Sequence, residues 1–411
     1  MKVLISGASI AGPAVAFWLA RTGHDITVVE QASSLRPGGQ AVDFKGATHR
    51  RVLEQMGLWH EINAQRTPAV DAHFVDATGR TNAVMPHTFS GGDVEIARGD
   101  LAKLLYEHTA DRVEYVFGDR IERMHEHADG IDVEFRSGRT GRFDLVVGAD
   151  GVHSGVRRLA FGPERQFVKY LGYSYAVVGG AKAAAEASDR PVGDAPDAPD
   201  APGVPGVPTQ PGLWYNEPGR LAVIGGPKAP DFFVFASDDP GALRHDVDAQ
   251  KRLIADAYAG AGWRVPEMLE RLATADEFYL DGLNRVHLDR FTSGRVVLVG
   301  DAGYANTLGG FGTGLSIVGA YVLAGELAAA GGDHRVTFAN YDERMLRYSK
   351  VARSGNAGPF LAPPSRWRIA MRDLTFKNRL MLAGMMKLTD MFANDIALPE
   401  YRELAAVAPV R

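Results

Sequence analysis

Three short stretches of this 411-residue chain carry residue types suited to gripping a phosphorylated cofactor. The first is GASIAG, Gly7–Gly12. Gly7 allows a tight turn after the apolar run Lys2–Ile5, and Gly12 lets the next helix pack closely on that strand. With Ala11 between them, the helix start offers unpaired N–H groups and a positive dipole end to a pyrophosphate. Glu30 follows Gly7 by about 23 positions, close to the spacing at which a carboxylate meets a ribose hydroxyl, with Gln31 beside it. The middle position is Ser9 rather than the glycine of G-x-G-x-x-G, and serine is small enough to leave a phosphate its approach. The second stretch is GADG, Gly148–Gly151, at the end of the apolar run Asp144–Val147. Asp150 thus sits at the carboxyl end of a strand, where open α/β sheets bind ligands. The third is GDAGYANTLGGFGTG, Gly300–Gly314, after the strand-like Arg295–Val299. Asp301 suits a sugar-like hydroxyl or a pyrophosphate. Gly309, Gly310, Gly312, Thr313 and Gly314 lead into a helix whose N-terminus can face a ligand.

One glycine-rich loop is weak evidence. Three in this order and at these distances point to a fold wrapped around a single FAD. The elements that must position them follow from the pattern. A strand over Lys2–Ile5, a helix ending at Gly23 and a strand over Ile26–Val29 make a βαβ dinucleotide unit. The loop Leu35–Gly46 is flexible, and Arg36 within it is either a phosphate or ribose contact or a solvated surface arginine. Leu101, Leu104 and Leu105 give a helix one apolar face, with Arg98 just before it and able to face a ligand. Ile131, Val133 and Phe135 alternate as in a half-buried strand. His125 and His127 look like a metal pair, but an alternating exposed strand explains them better and no third ligand is apparent.

Residues 166–290 differ in character. Runs at Tyr175–Val178, Leu221–Ile224 and Phe232–Phe235 predict a mainly antiparallel sheet carrying the substrate pocket, joined by a strand at Ala72–Val75. Prolines recur at every third residue from 196 to 211 within Ala183–Gly212, which suits an exposed polyproline ribbon or a loop with no core to bury. Phe338, Tyr341, Met345, Tyr348 and Ala352 form one face of a long helix, and Trp367–Phe392 is also helical in pattern, packing across the domains or in a dimer contact.

Composition narrows the function classes. The net charge of −5, with no block of basic residues beside aromatics, argues against nucleic-acid binding. There are no cysteines, so disulfides, thiolate metal sites and cysteine nucleophiles are excluded. The N-terminus does not read as a secretory signal, and no apolar run approaches the roughly 20 residues of a membrane helix. The expectation is a soluble, cytoplasmic protein, a monomer or homodimer, with neither membrane nor metal.

With these motifs in hand, the chain resembles the single-component FAD-dependent aromatic hydroxylases, the group around para-hydroxybenzoate hydroxylase. It looks closest to their bacterial antibiotic-modifying branch, which includes tetracycline-inactivating monooxygenases and polyketide hydroxylases. The resemblance covers nearly the whole chain. It implies that Gly7, Ser9, Gly12 and Glu30 hold the ADP half of FAD, and that Arg36 and Asp43 lie near the ribityl and ring part. It implies that Arg98 contacts the cofactor, Asp150 serves both FAD and NADPH, Asp301 meets the ribityl chain, and Gly309 to Gly314 line the flavin ring. Two departures stand out. Ala305, Asn306, Thr307 and Leu308 include no proline where the family has one beside the reactive flavin edge, and the usual Gln-Gly is Phe311-Gly312. They put normal oxygen activation in question.

The fold class implied is α/β, α+β overall: a Rossmann-like FAD-binding domain (1–67, 96–165, 286–365), a mainly antiparallel substrate domain (68–95, 166–285) and C-terminal helices (366–411). The reaction implied is hydroxylation of an aromatic or polyketide-like molecule with O2, NADPH or NADH acting as transient reductant and a flavin C4a-hydroperoxide as oxidant. Two other readings stay open, FAD kept for a non-redox step such as cyclisation, and a non-catalytic flavin or drug binder. The residues name no clear acid–base group. Tyr304 is a weak catalytic candidate, and Tyr215, Asn216 and Arg220 are weak pocket candidates.

Overall fold

Lys2–Ser6 is buried at every position but its first, as a strand with helices on both faces must be. In the computed structural model, which describes residues 1–36, 40–179, 211–225, 231–310, 312–350, 354–385 and 396–405, this strand lies inside a six-stranded sheet. The order is Thr292–Ser293, Val296–Leu298, Leu145–Gly148, Lys2–Ser6, Asp25–Glu30, Glu114–Phe117. All neighbours pair in parallel except the first two. Ser6 pairs with Gly148 and with Val29, and Gly148 pairs with Leu298. Parallel strands in that register end on one edge. Each glycine motif begins as its strand ends, so all three emerge together there.

The helix Ala11–Arg21 starts directly after the first motif and packs beside Gly312–Ala329, which starts from the third. Gly312–Ala329 is long and apolar enough to cross a membrane, against the expectation that no run comes near this. It is the core helix of the domain, mostly buried by protein.

The second large sheet has seven strands, in the order Phe278–Val286, Val168–Val178, Asp231–Ala236, Arg220–Ile224, Gly212–Glu217, Ala72–Val75, Thr81–Met85. It is antiparallel save for Gly212–Glu217 beside Ala72–Val75. The strands expected at Tyr175–Val178, Leu221–Ile224, Phe232–Phe235 and Ala72–Val75 are all present. One face, with Ala176, Tyr215, Ala222 and Phe233, packs under the helices Val247–Ala257 and Val265–Thr274. The other carries Tyr175, Val177, Leu221, Val223 and Val234, with Trp214, Phe232 and Leu308 half-buried against them. Leu308 belongs to the third motif's loop, so this face is the one turned toward the glycines.

Two small sheets complete the set. Ala41–Phe44 pairs with Val94–Ala97, and Gly130–Phe135 lies between Ile121–His127 and Thr140–Phe143. His127 sits on an outer strand and pairs with Asp132 across the hairpin at 2.8 Å. Phe338, Tyr341, Met345 and Tyr348 do form the buried face of the helix His334–Tyr348, while Ala352 lies outside the described residues. The helix Arg366–Lys377 packs through Phe376 onto Phe74, on the strand next to the edge of the second sheet, and Trp367, Met371 and Leu374 are exposed. The proline-periodic stretch up to residue 210 and residues 386–395 also fall outside the described residues.

Candidate functional site

The three motifs touch. A Cβ added to Gly7 would lie 2.4 Å from the carbonyl oxygen of Ala149 and 3.0 Å from Cα of Asp150. A Cβ on Gly300 would lie 2.9 Å from that of Ala11 and 2.8 Å from Oγ of Ser316. Gly7 and Gly300 also take positive φ (107° and 67°), which other residues resist. Glycine at these positions therefore lets the second and third motifs close on the first. Within the first turn, a Cβ on Gly12 would sit 1.9 Å from the Gly7 carbonyl oxygen. The turn and the helix start are thereby held in the tight form that brings backbone N–H groups up to a phosphate.

Charged residues border the same place. The Glu30 carboxylate accepts N–H bonds from Ala8 and Ala32, both at 2.9 Å. These fix its orientation and leave lone pairs for a hydroxyl. Arg98 opens its helix, as expected, and its guanidinium donates to Oγ of Ser9 at 3.3 Å. Burial pushes the Asp301 carboxyl up, and the nearby positive charge of Arg98 works against that shift. Asp301 is half-buried, and its Oδ1 lies 3.3 Å from where a Cβ on Gly312 would sit. Asp150 accepts from the Val156 N–H at 3.1 Å and from the hydroxyl of Ser154, which caps the helix Gly155–Ala160. Burial raises its pKa too, against those bonds.

Arg157, from the same short helix, was not foreseen. Its guanidinium is fully buried and donates to the carbonyl oxygens of Ala302 (2.8 Å) and Val152 (2.6 Å), tying the second motif to the third. A basic residue seven positions past Asp150 gave no sign of this in one dimension. The third motif's loop has Leu308 at φ 58° and Gly310 at φ 85°. Gly309 lies against Asn306, where a Cβ would meet Nδ2 at 2.9 Å. Gly312 and Thr313 are half-buried, Gly314 is buried, and Phe311 lies outside the described residues. Asp43 accepts from the Gly92 N–H at 3.4 Å, on the strand that leads toward this loop, while Gln31 and Arg36 are exposed.

The remaining candidates are Tyr304, Tyr215, Asn216 and Arg220. Tyr304 is completely buried, its hydroxyl donating to the Leu315 carbonyl oxygen at 3.2 Å and its ring edge-on to Phe291. It has no route to a substrate, because the helix Asp301–Tyr304 turns it into the core. Tyr215 points to the helix-covered face of the second sheet and donates to Glu217 at 2.6 Å. Arg220 is held by Glu217 and by the carbonyl oxygen of Ala257 at 2.8 Å. Asn216 donates to the carbonyl oxygens of Arg220 (3.1 Å) and Leu361 (2.8 Å). Tyr215 and Asn216 do line a cavity of about 530 Å³, but its other walls include Asp76, Asn82, Arg366 and Arg372, and no motif residue. Trp214 lines the same cavity, while Tyr175 and Phe232 lie on the sheet face that also meets Leu308. The period of two along a strand could have shown that Trp214 and Tyr215 face opposite ways, but not which face meets the cofactor loop.

A charged latch beside Asp150 reaches across to the seven-stranded sheet. His153 meets Glu164 through Nδ1 (2.9 Å) and Asp281 of the second sheet through Nε2 (3.1 Å), with Arg244 alongside. Burial alone would lower the imidazole's pKa, but the two carboxylates outweigh it and raise it to about 9. A raised pKa means the latch contributes fully below the ordinary value near 6.5 and is lost as pH climbs through about 9. The melting temperature of the wild type should therefore exceed that of His153→Gln at pH 6 and converge with it above pH 9. Parallel melting curves across that window would show the latch to be inert.

Comparison with known proteins places these features in context. A family model described as an FAD binding domain matches residues 1–178. An uncharacterized protein of Mycobacterium tuberculosis is 38% identical over 82% of this chain and 88% of its own length. A flavin-dependent monooxygenase from an unknown prokaryotic organism is 32% identical over 97% of this chain and 99% of its own. The crystal structure of the tetracycline destructase Tet(55) superposes with a TM-score of 0.77 at 31% identity, covering 97% of this chain and 98% of that one.

Proposed function

This chain is an enzyme of the flavin-dependent monooxygenases, the FAD-dependent aromatic hydroxylase family, and from that premise we propose that it transfers one atom of O2 to an aromatic or polyketide-like small molecule, with NADPH or NADH as the electron source. The meeting of three glycine motifs at one sheet edge, opposite an aromatic sheet face, carries this reading. The likeness to a tetracycline destructase supports a polycyclic, polyketide-type substrate.

FAD, when bound, supplies the electron storage and oxygen activation that no side chain can provide. The residues present fit it. The Gly7–Gly12 turn and the helix behind it receive the pyrophosphate, with Glu30 and Gln31 at the ribose. Asp301, Arg98 and Asp43 take the ribityl and ring side, with Arg36 and Asp150 as further contacts. Gly309, Gly310, Gly312, Thr313 and Gly314 present backbone to the ring, where side chains would intrude. Tyr175, Phe232 and Trp214 offer flat apolar surface to an aromatic substrate and keep water from the reacting face. No acid–base side chain is assigned, since Tyr304 is withdrawn into the core.

The test is spectroscopic. The purified protein should show oxidised-flavin bands, and NADPH or NADH plus the right phenol or polyketide should bleach them, with O2 uptake matching a product heavier by one oxygen. Bands that no reductant bleaches under any candidate substrate would favour FAD kept for a non-redox step.

A further inference from the structure

The helix Arg366–Lys377 buries charge and exposes apolar side chains. Its covered side holds Phe376 together with an ion pair, Arg372 donating to Asp373 at 2.9 Å, and that guanidinium lies 3.9 Å from the centroid of the Phe74 ring. Its outer side shows Trp367, Met371 and Leu374, which are 61%, 52% and 55% exposed. A surface helix of a globular protein has the opposite arrangement, with its apolar stripe inward and its charges outward. The three stand at i, i+4 and i+7, so at about 100° per residue they fall within an arc of roughly 60°. Exposure continues past Asn378, where Leu380 is 86% exposed and Met381 is exposed too. Five of the nine large apolar side chains exposed among the described residues thus lie between Trp367 and Met381, a cluster rather than the single scattered side chains of an ordinary surface.

The same segment is basic. Residues 366–385 hold five basic residues and one acidic one, in a chain whose net charge is −5. Arg372 and Asp373 neutralise each other inside, which leaves Arg366, Arg368, Lys377 and Arg379 at the surface. None of these four has an acidic partner among the described residues. Around the helix axis, Arg366 and Lys377 fall on one side of the apolar stripe and Arg368 on the other. Long basic side chains so placed lay their stems along the stripe and carry their charges to its borders. This charge pattern selects the occupant. A second copy laid on this face would set four cations against four more, with no exposed acid in the segment to separate them, and such juxtaposition repels. A bilayer with anionic headgroups answers both halves at once, with acyl chains for the apolar stripe and negative headgroups for its borders. The rest of the chain is acidic and is repelled by the same surface, which orients the molecule with this helix toward it.

We propose that the helix Arg366–Lys377, with the residues that follow it to Met381, is a docking surface for an anionic lipid bilayer. The helix lies in the plane of the interface, with Trp367, Met371 and Leu374 at the acyl boundary and the four exposed basic residues among the headgroups. The inference goes beyond the oxygenase reading and does not rest on it. It replaces the expectation of a chain without a membrane partner, which came from net charge and the length of apolar runs. Both quantities are taken along the chain, and a stripe on one side of a 12-residue helix changes neither.

The experiment is co-sedimentation of the purified full-length protein with two kinds of vesicle, phosphatidylcholine alone and phosphatidylcholine with about one third phosphatidylserine. Binding to the anionic vesicles should exceed binding to the neutral ones by at least about tenfold, and should fall at about 0.5 M NaCl, where surface charge is screened. Arg366→Gln, Arg368→Gln and Lys377→Gln together should weaken it about a hundredfold. Trp367→Ser with Leu374→Ser keeps every charge and should weaken it by at least about tenfold. All five positions are exposed, so both variants should keep the wild-type circular dichroism and melting temperature, and either one carries the test if the other does not fold. Equal binding to both vesicles, binding to neither, or variants that bind like wild type overturn the proposal. So does a dimer in lipid-free solution, read by light scattering, that Trp367→Ser with Leu374→Ser converts to monomer, because the apolar stripe then belongs to a second copy.

Discussion

Gly12→Ala should yield a folded protein that has lost its cofactor. The added Cβ would fall 1.9 Å from the Gly7 carbonyl oxygen and 3.3 Å from Cγ2 of Ile5. The first of these is backbone and cannot swing aside, so the turn or the helix start must move. Overpacking of this kind costs about 1–3 kcal/mol. Here the displaced atoms are those proposed to carry the pyrophosphate, so FAD binding should weaken by about a hundredfold, near 2.7 kcal/mol. Gly23→Ala is the control. Gly23 ends the same helix, and a Cβ there meets nothing within 4 Å. Its positive φ of 82° makes alanine cost about 1 kcal/mol of stability, without touching the cofactor. Flavin absorbance of the purified variants and FAD titration of the stripped proteins read both outcomes. A Gly12→Ala protein as yellow as wild type would mean that the first turn does not hold the phosphates.

Arg157→Leu should damage stability and cofactor binding together. The guanidinium is buried and supplies donors to Ala302 and Val152, so leucine leaves two carbonyl oxygens without them. Each such loss costs about 1–3 kcal/mol, and the Asp150 carboxylate also loses a nearby positive charge. A drop of about 3 kcal/mol, or roughly 6 °C or more in melting temperature, is expected. Ala302 is the neighbour of Asp301, so loosening its carbonyl loosens the proposed ribityl contact, and FAD affinity should fall as well. Arg157→Lys keeps the charge and one donor and should lie between. Burial already holds the Arg157 pKa below its ordinary value, so water does not readily replace the lost bonds. If Arg157→Leu melts within a degree of wild type, the link between the motifs has no energetic weight.

The third loop shows how far a departure from the family pattern reaches. Where the family has proline, this chain runs through Asn306 and Leu308, and Leu308 takes a left-handed conformation at φ 58°. A non-glycine residue there carries strain, which the packing of its side chain on the sheet face with Phe232 and Trp214 offsets.

What the sequence by itself determined is whatever depends on neighbours along the chain. Lys2–Ser6, the Gly7–Gly12 turn and Glu30 were legible because a strand, a tight turn and a helix start are local events with local residue requirements. The alternating runs that became the second sheet were legible for the same reason. Only the tertiary structure decided the rest, because parallel register and helix packing join residues hundreds of positions apart. Register put Gly148 and Leu298 level with Ser6 and so closed three motifs into one site. Packing sent Tyr304 into the core and Tyr215 to the helix-covered sheet face, and brought Arg157 between the second and third motifs. Which face of a strand or helix is turned inward depends on what covers it, and the covering element lies elsewhere in the chain.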